Sequence, residues 1–585
     1  MEQILQRKHE TLMGTFEKSK KFGFVIPDNP RIGQDVYVTK KKHMDATTGD
    51  KVLVQITRWP SDRRSAEGKI VEVLGKIGDP GIDILSIIRS HDLREEFPPQ
   101  VAQAAQQVPR TVDPKEASSA DRMDLRTLPM VTIDGADAKD LDDAVSVRRE
   151  ADHFHLGVHI ADVSHYVRPG TPLDVEALNR ATSVYFPDRV LPMLPVELSN
   201  GICSLNAGED RLAMSCLMKI DRQGNVVSYE VGPSVIHVDE RMTYDDVNAI
   251  LEEDDKRLQK RYEKFLDDFG LLRELMDILK AKRIRRGAID FEFPEVKVIL
   301  NDDGSVRELK KRTRNVAESI IEECMLIANE TVAEHLYRRE VPNVYRVHEP
   351  PSSKKLDILN SFLEHYDMQI RPDGEDVSPR EYQDILEKIQ DQPYAYPTSL
   401  MMLRSMMHAR YAVDALGHFG LAAKFYCHFT SPIRRYPDLF VHRAIRATMG
   451  GKVGEKKWNR LQEQAVEAAA ISSEKEIQAE EAEREAVKLK VVQYMAEHVG
   501  TTFNAQISGV IASGFFVMLD NLAEGLVKAS TLLDQFYHYD DKRMRLVGER
   551  DGRAFGIGDA VEVRLVKADT VRQTLDFELE EFING

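Results

Sequence analysis

Apolar and polar residues alternate along residues 12–75, with glycine-rich turns between the runs, and the run Lys20-Lys-Phe-Gly-Phe-Val-Ile-Pro27 is followed by Asp35-Val-Tyr-Val38. A period of two predicts strands. The same period governs about 128–240, as in Phe154-His-Leu-Gly-Val-His-Ile-Ala161, and it returns after Gly500 in Thr502–Val517, Glu524–Lys528 and Gly558–Val566. Between these stretches the spacing turns helical, over 256–286 and 314–337, where positions 316, 320, 324, 327 and 328 form one apolar stripe. A third helix is predicted at about 456–496. Its repulsive pairs (Glu481 with Glu485, Arg484 with Lys488) and attractive pairs (Glu481 with Arg484, Glu485 with Lys488) largely cancel, so packing must hold it.

These changes of period divide the chain into a strand-rich segment at 1–75, a connector at 76–125, a mixed body at 126–497 and a second strand-rich segment at 498–585. A chain of 585 residues with 42% hydrophobic content can supply each with a core. The connector is marked by Asp79-Pro80, Pro98-Pro99 and an Ala/Gln-rich stretch. No run of 18 apolar residues occurs and the first ten residues carry no signal-peptide pattern, so a soluble, cytoplasmic protein is expected. Cys203, Cys216, Cys324 and Cys427 lie far apart, which predicts free buried thiols.

Chemistry is concentrated in Thr132-Ile-Asp-Gly-Ala-Asp-Ala-Lys-Asp-Leu-Asp-Asp-Ala144, which holds five aspartates in thirteen residues. Carboxylates brought this close repel one another unless cations neutralise them. Asp134, Asp140, Asp142 and Asp143 are read as ligands of Mg²⁺, with Mn²⁺ as a substitute, on a turn between strands. A calcium loop is excluded, because Lys139 and Val145 stand where its Gly and Glu belong. For this segment alone, an exposed acidic loop remains the alternative.

The net charge of −17 argues against a polyanionic partner, yet residues 1–75 carry 14 Lys and Arg against 10 Asp and Glu. An RNA channel needs only a basic lining. Phe22, Phe24 and Tyr37, interleaved with Lys20, Lys21 and Lys40 to Lys42, offer stacking surfaces beside phosphate-binding charges, or else fill a small barrel. Lys310-Lys-Arg-Thr-Arg314 is either a channel lining or a solvated strand end.

Residues 12–75 resemble a cold-shock domain and the last segment an S1 domain, both OB-type barrels. With the aspartate-rich body between them, the chain resembles the RNase II/RNase R family of exoribonucleases, on the RNase R side. The likeness rests further on His159-Ile-Ala-Asp-Val-Ser-His-Tyr166, Ser183-Val-Tyr-Phe-Pro187, Arg189-Val-Leu-Pro-Met-Leu-Pro195, Leu198–Leu205, Gly417–Ala422 and Thr430-Ser-Pro-Ile-Arg-Arg-Tyr-Pro-Asp438. Against RNase R, it shows no N-terminal helix-turn-helix region, one cold-shock segment instead of two, and no lysine-rich tail.

The resemblance implies a multidomain α+β protein, with a mixed α/β RNB-type catalytic domain flanked by OB-type barrels. It implies processive hydrolysis of single-stranded RNA from the 3′ end to nucleoside 5′-monophosphates by a monomer acting in RNA turnover and quality control. The ribosome and other RNA-decay factors are further partners, and no membrane is involved. By the same resemblance, Asp142 is the aspartate most critical to cleavage, Arg434 grips the phosphate at the scissile bond and Tyr185 stacks on the terminal base. Phe291 closes the other side of the base stack, Tyr244 and Glu483 read the ribose, and Phe515 and Phe516 present aromatics to RNA. Asp137 has no counterpart. An ion pair with Asp438 is the competing role for Arg434. His159, His165 and His418 are read as structural. A noncatalytic RNA-binding protein and a metal-dependent endoribonuclease remain the rival functions.

Overall fold

The computed structural model describes residues 10–20, 22–29, 32–61, 64–291, 293–371, 377–392, 394–451, 453–541 and 543–582. Lys21, one of the predicted basic residues, lies outside them. The first barrel is closed by five strands, Thr11–Lys18, Phe22–Pro27, Val36–Thr39, Asp50–Arg58 and Glu67–Lys76. Alternation decides its surfaces. Phe16, Val25, Val36, Val38, Val52 and Val54 fill the interior, while Phe22, Phe24 and Tyr37 stand half-buried on the outside. Gly23 separates the two phenylalanines because a Cβ there would lie 2.3 Å from the Phe16 ring. The three outer rings form one cluster with centroids 5.3 to 5.9 Å apart, so they are not barrel core.

Short helices Ile82–Ser90, Pro99–Gln106 and Pro114–Ala117 form the connector. The body is built on a seven-stranded sheet in the order Glu240–Thr243, Val131–Asp134, Asp143–Glu150, His153–Ala161, Asp210–Ile220, Val226–His237, Met123–Asp124. Helices Leu266–Arg285, Val316–Arg338 and Tyr436–Thr448 share its hydrophobic core. The predicted stripe on the second of these is buried at Ile320, Cys324, Ile327 and Ala328. A separate helical layer, Ser353–Leu363, Pro379–Ile389 and Ala395–Ser405, has its own core around Tyr382 and Leu359.

A single helix, Glu455–Ala496, runs on to the second closed barrel, whose strands are Thr502–Ile511, Gly514–Leu519, Glu524–Lys528, Ala560–Asp569 and Thr574–Phe582. A small sheet of Tyr537–Asp540, Arg545–Gly548 and Ala554–Phe555, unforeseen in the sequence, is inserted between the third and fourth strands. The fold is therefore a mixed α/β body flanked by β-barrels. Among the described residues, no helix is long and apolar enough to cross a membrane.

One expected surface aromatic is not at the surface. Phe515 is fully buried and stacks on Phe555 at 5.1 Å, because successive residues of a strand face opposite sides; Phe516 is the half-exposed one. Phe515→Ala is expected to destabilise this barrel by about 3–5 kcal/mol, as loss of a buried aromatic does. Phe516→Ala should cost about 1 kcal/mol or less. Denaturation followed by hydrogen exchange within 502–582 checks the contrast.

Candidate active site

Strand Val131–Asp134 ends at Asp134 and strand Asp143–Glu150 begins at Asp143, so the aspartates occupy the intervening turn, as expected. The turn is fastened from the interior by Ser204, whose hydroxyl accepts from Leu141 N–H (3.1 Å) and donates to the Lys139 carbonyl (3.0 Å). Asp142 is 4% exposed, Asp134, Asp140 and Asp143 are half-buried, and Asp137 is exposed. The last is consistent with a solvated turn residue.

Burial and mutual repulsion are both legible in the acidities. Asp134 is pushed up to about 8, first by burial and then by the charge of Asp143. Burial likewise raises Asp142 and Asp143 above the usual carboxylate range, opposed by Arg434. Asp134 Oδ2 is buried without a hydrogen-bond partner. An unsatisfied oxygen among repelling carboxylates is chemically suited to a hard divalent cation.

Among the described residues, no group of three or more His, Cys, Asp or Glu side chains is drawn tightly enough to hold a metal ion alone. Mg²⁺ commonly uses one or two carboxylates and completes its shell with waters and substrate phosphates, so open carboxylates fit it.

The second half of the site comes from Ser431–Arg435, immediately before helix Tyr436–Thr448. Asp438, in the first turn of that helix, accepts from Ser431 N–H (2.7 Å) and from two nitrogens of Arg435 (2.8 and 2.9 Å). Arg435 thus takes the partner that competed for Arg434. Arg434 is left facing Asp142, Nε to Oδ2 at 3.8 Å, and Ile433 N–H donates to Asp142 Oδ1 at 3.0 Å.

The same segment pairs with the strand leading to Tyr185, through Ser183 N–H to the Arg434 carbonyl (3.0 Å) and Tyr436 N–H to the Ala181 carbonyl (2.8 Å). The Tyr185 side chain lies within electrostatic reach of Arg434, Asp140 and Asp142, and that of Tyr244 within reach of Asp134, Asp143 and Arg434. Glu483 Oε1 accepts from the backbone N–H of Tyr185 at 2.7 Å. Its observed partner is protein backbone, which makes it a brace for Tyr185.

Phe291 belongs to a different neighbourhood, packed on the separate helical layer and stacked on Phe293 at 5.5 Å. The basic run near 310 is partly committed to Arg312–Glu318 and Arg314–Glu322 ion pairs, both 2.8 Å. His159 is fully buried between the hydroxyls of Ser146 and Ser215 (2.9 and 2.7 Å), and burial depresses it to about 3. Burial also depresses His418 to about 3 and lowers His165. His159 and His418 are thus held neutral by burial, far too weakly basic to serve as a base near neutrality.

Sequence reasoning missed three contributors: the Ile433 amide, the Arg435–Asp438 pair and Arg241, which donates to backbone carbonyls of the aspartate turn. The first two lie inside a motif already singled out. Arg241 carries no local signal.

An RNB domain model matches residues 122–451 and a cold shock domain model residues 24–98. Ribonuclease R of Thermotoga maritima is 44% identical over 99% of this chain and 82% of its own length, and Ribonuclease R 1 of Lactococcus lactis is 43% identical over 98% and 71%. The chain belongs to the ribonuclease R family of 3′-to-5′ exoribonucleases.

Its fold superposes on Mycoplasma genitalium RNase R in complex with ribose-methylated single-stranded RNA, with a TM-score of 0.91 and 29% identity over 99% of this chain and 91% of that one. The complex of the same enzyme with double-stranded RNA matches at 0.88, with 28% identity over 99% and 97%. Yeast Ssd1, a pseudonuclease, shares the fold at 0.71 with 19% identity over 93% and 68%. A shared fold does not by itself fix activity.

Proposed function

We propose that this chain degrades single-stranded RNA processively and hydrolytically from the 3′ end, releasing nucleoside 5′-monophosphates in RNA turnover and quality control, with Mg²⁺ as cofactor and Mn²⁺ as its substitute. One observation carries the reading: Ser431–Arg435 presents both a backbone N–H and a guanidinium to Asp142 of the aspartate turn. Positive donors and carboxylates then flank one reaction centre. RNA as the ligand is supported by the RNA complexes of the Mycoplasma enzyme.

Asp134, Asp140, Asp142 and Asp143 are the residues that would hold divalent ions. Such ions supply activation of the attacking water and neutralisation of charge on the leaving 3′ oxygen. The rest falls to the chain itself. Arg434, with a planar five-donor fork, grips the phosphate and stabilises charge that grows in the transition state. Tyr185 stacks on the terminal base, and Glu483 fixes it through its backbone. Tyr244 and Glu483 read the ribose, Phe291 closes the other side of the base stack, and Phe22, Phe24, Tyr37 and Phe516 bind RNA on the two barrels.

In functional terms the chain divides into a cold-shock-like barrel at 1–75, a connector at 76–125, the RNB-type catalytic domain at 126–497 and an S1 RNA-binding domain at 498–585.

A 5′-labelled single-stranded RNA tests the reading in Mg²⁺ and with a chelator. Progressive shortening to very short labelled oligomers with monophosphate release, abolished by chelation, is the expected result. Binding without shortening would leave a noncatalytic RNA-binding protein, and a ladder of internal cuts would make it an endoribonuclease.

A further inference from the structure

The aspartate turn is fastened on two sides. Ser204 is fully buried and holds Lys139 and Leu141 from within. On the solvent side the only reinforcement of the turn by its own backbone among the described bonds is Ala138 N–H to the Gly135 carbonyl at 3.1 Å. Arg241 closes that side. Its Nη2 donates to the Ala138 carbonyl at 2.6 Å and the Ala136 carbonyl at 3.2 Å, with the Gly135 carbonyl at 3.4 Å.

The geometry follows from strand pairing. Glu240–Thr243 runs parallel to Val131–Asp134 with Arg241 opposite Thr132 and Thr243 opposite Asp134. The arginine therefore leaves its strand beside the point where the chain turns into the aspartates, and the strand then passes directly into helix Tyr244–Glu252.

We infer that Arg241 is a positioning residue whose guanidinium fork holds the aspartate turn in the conformation that binds divalent ions. This rests on the metal reading above. Arg241 is exposed, so its bonds to carbonyls replace bonds to water and are not required for the fold. What they do is remove freedom from a turn whose side chains need to be placed to within a fraction of an ångström.

The inference makes a prediction opposite in sign to simple electrostatics. A cation near Asp134 repels an incoming divalent ion, so removing its charge alone would tighten metal binding. Removing a clamp loosens it. Mn²⁺ titrated into the RNA-free full chain and followed by electron paramagnetic resonance separates the two. With Arg241→Ala, affinity is expected to fall about 10–100-fold, the range seen when a residue supporting metal ligands is lost. Arg241→Lys keeps the charge but not the fork and should also bind Mn²⁺ more weakly than the native chain.

Hydrogen exchange within 135–141 should quicken in both variants while the circular dichroism spectrum is unchanged, and turnover should fall through kcat with KM little altered. Affinity that is unchanged or higher in Arg241→Ala, or Arg241→Lys indistinguishable from native, overturns the inference. Absence of Mn²⁺ binding by the native chain would instead overturn the metal reading, and the exchange rates would still decide whether the clamp exists.

Discussion

Asp142→Asn is expected to lower the single-turnover rate of RNA shortening by about 10³-fold or more while RNA affinity stays within about threefold, because the lost group acts in the transition state rather than in binding. The substitution is nearly isosteric. Its remaining oxygen can still accept from Ile433 N–H, so the buried site keeps its shape and loses only a charge. That charge is held at a cost, since burial alone favours the protonated carboxyl and Arg434 is the chief opposing influence. Rapid-quench kinetics beside filter-binding measures both quantities. A rate within tenfold of native would remove Asp142 from the centre of the mechanism.

Arg434→Ala should reduce kcat by about 10²–10³-fold, the scale for removing one preorganised donor aimed at developing negative charge. Its side chain is 43% exposed, so thermal stability should change little. Arg434→Lys tests shape against charge. Lysine restores a cation but not a planar fork, and an intermediate rate is expected. Equal rates for native and Arg434→Lys in steady-state assays would show that only a point charge is needed.

How much of this was legible in the sequence depends on how local each contact is. The aspartates and their flanking strands are adjacent in the chain, so spacing alone placed them on a turn. The periodicity also located both barrels and the long helix. Arg434 was recognisable, but its partner was not: Asp142 and Asp438 were both available, and only the fold shows that Arg435 captures Asp438.

Phe515 and Phe516 are consecutive, and deciding which faces inward needed the register against Val527 and Leu526 on the neighbouring strand. Glu483 and Tyr185 meet only because the long helix crosses the short strand Val184–Tyr185. Arg241 depends on a parallel pairing between segments about a hundred residues apart. The inserted sheet in the second barrel escaped notice because its strands, two to four residues each, are too short to display a period.

The helix Glu455–Ala496, 42 residues and roughly 63 Å long, touches nearly every part of the molecule. Trp458 Nε1 donates to the Glu340 carbonyl (2.9 Å), Ser473 Oγ accepts from Tyr411 N–H (3.0 Å), and Glu483 holds Tyr185. His91 contacts Glu485 at 2.8 Å, Lys490 and Gln493 reach Asp83 at 2.7 and 2.8 Å, and Val491, Val492 and Met495 join the core of the second barrel. A stripe of alanines at 465, 468, 469, 479, 482 and 486 lets the neighbours pack closely against it. Connector, the strand of Tyr185 and the distal barrel are thus fastened to a common beam. A displacement of this helix would therefore reach the connector, the strand of Tyr185 and the second barrel together.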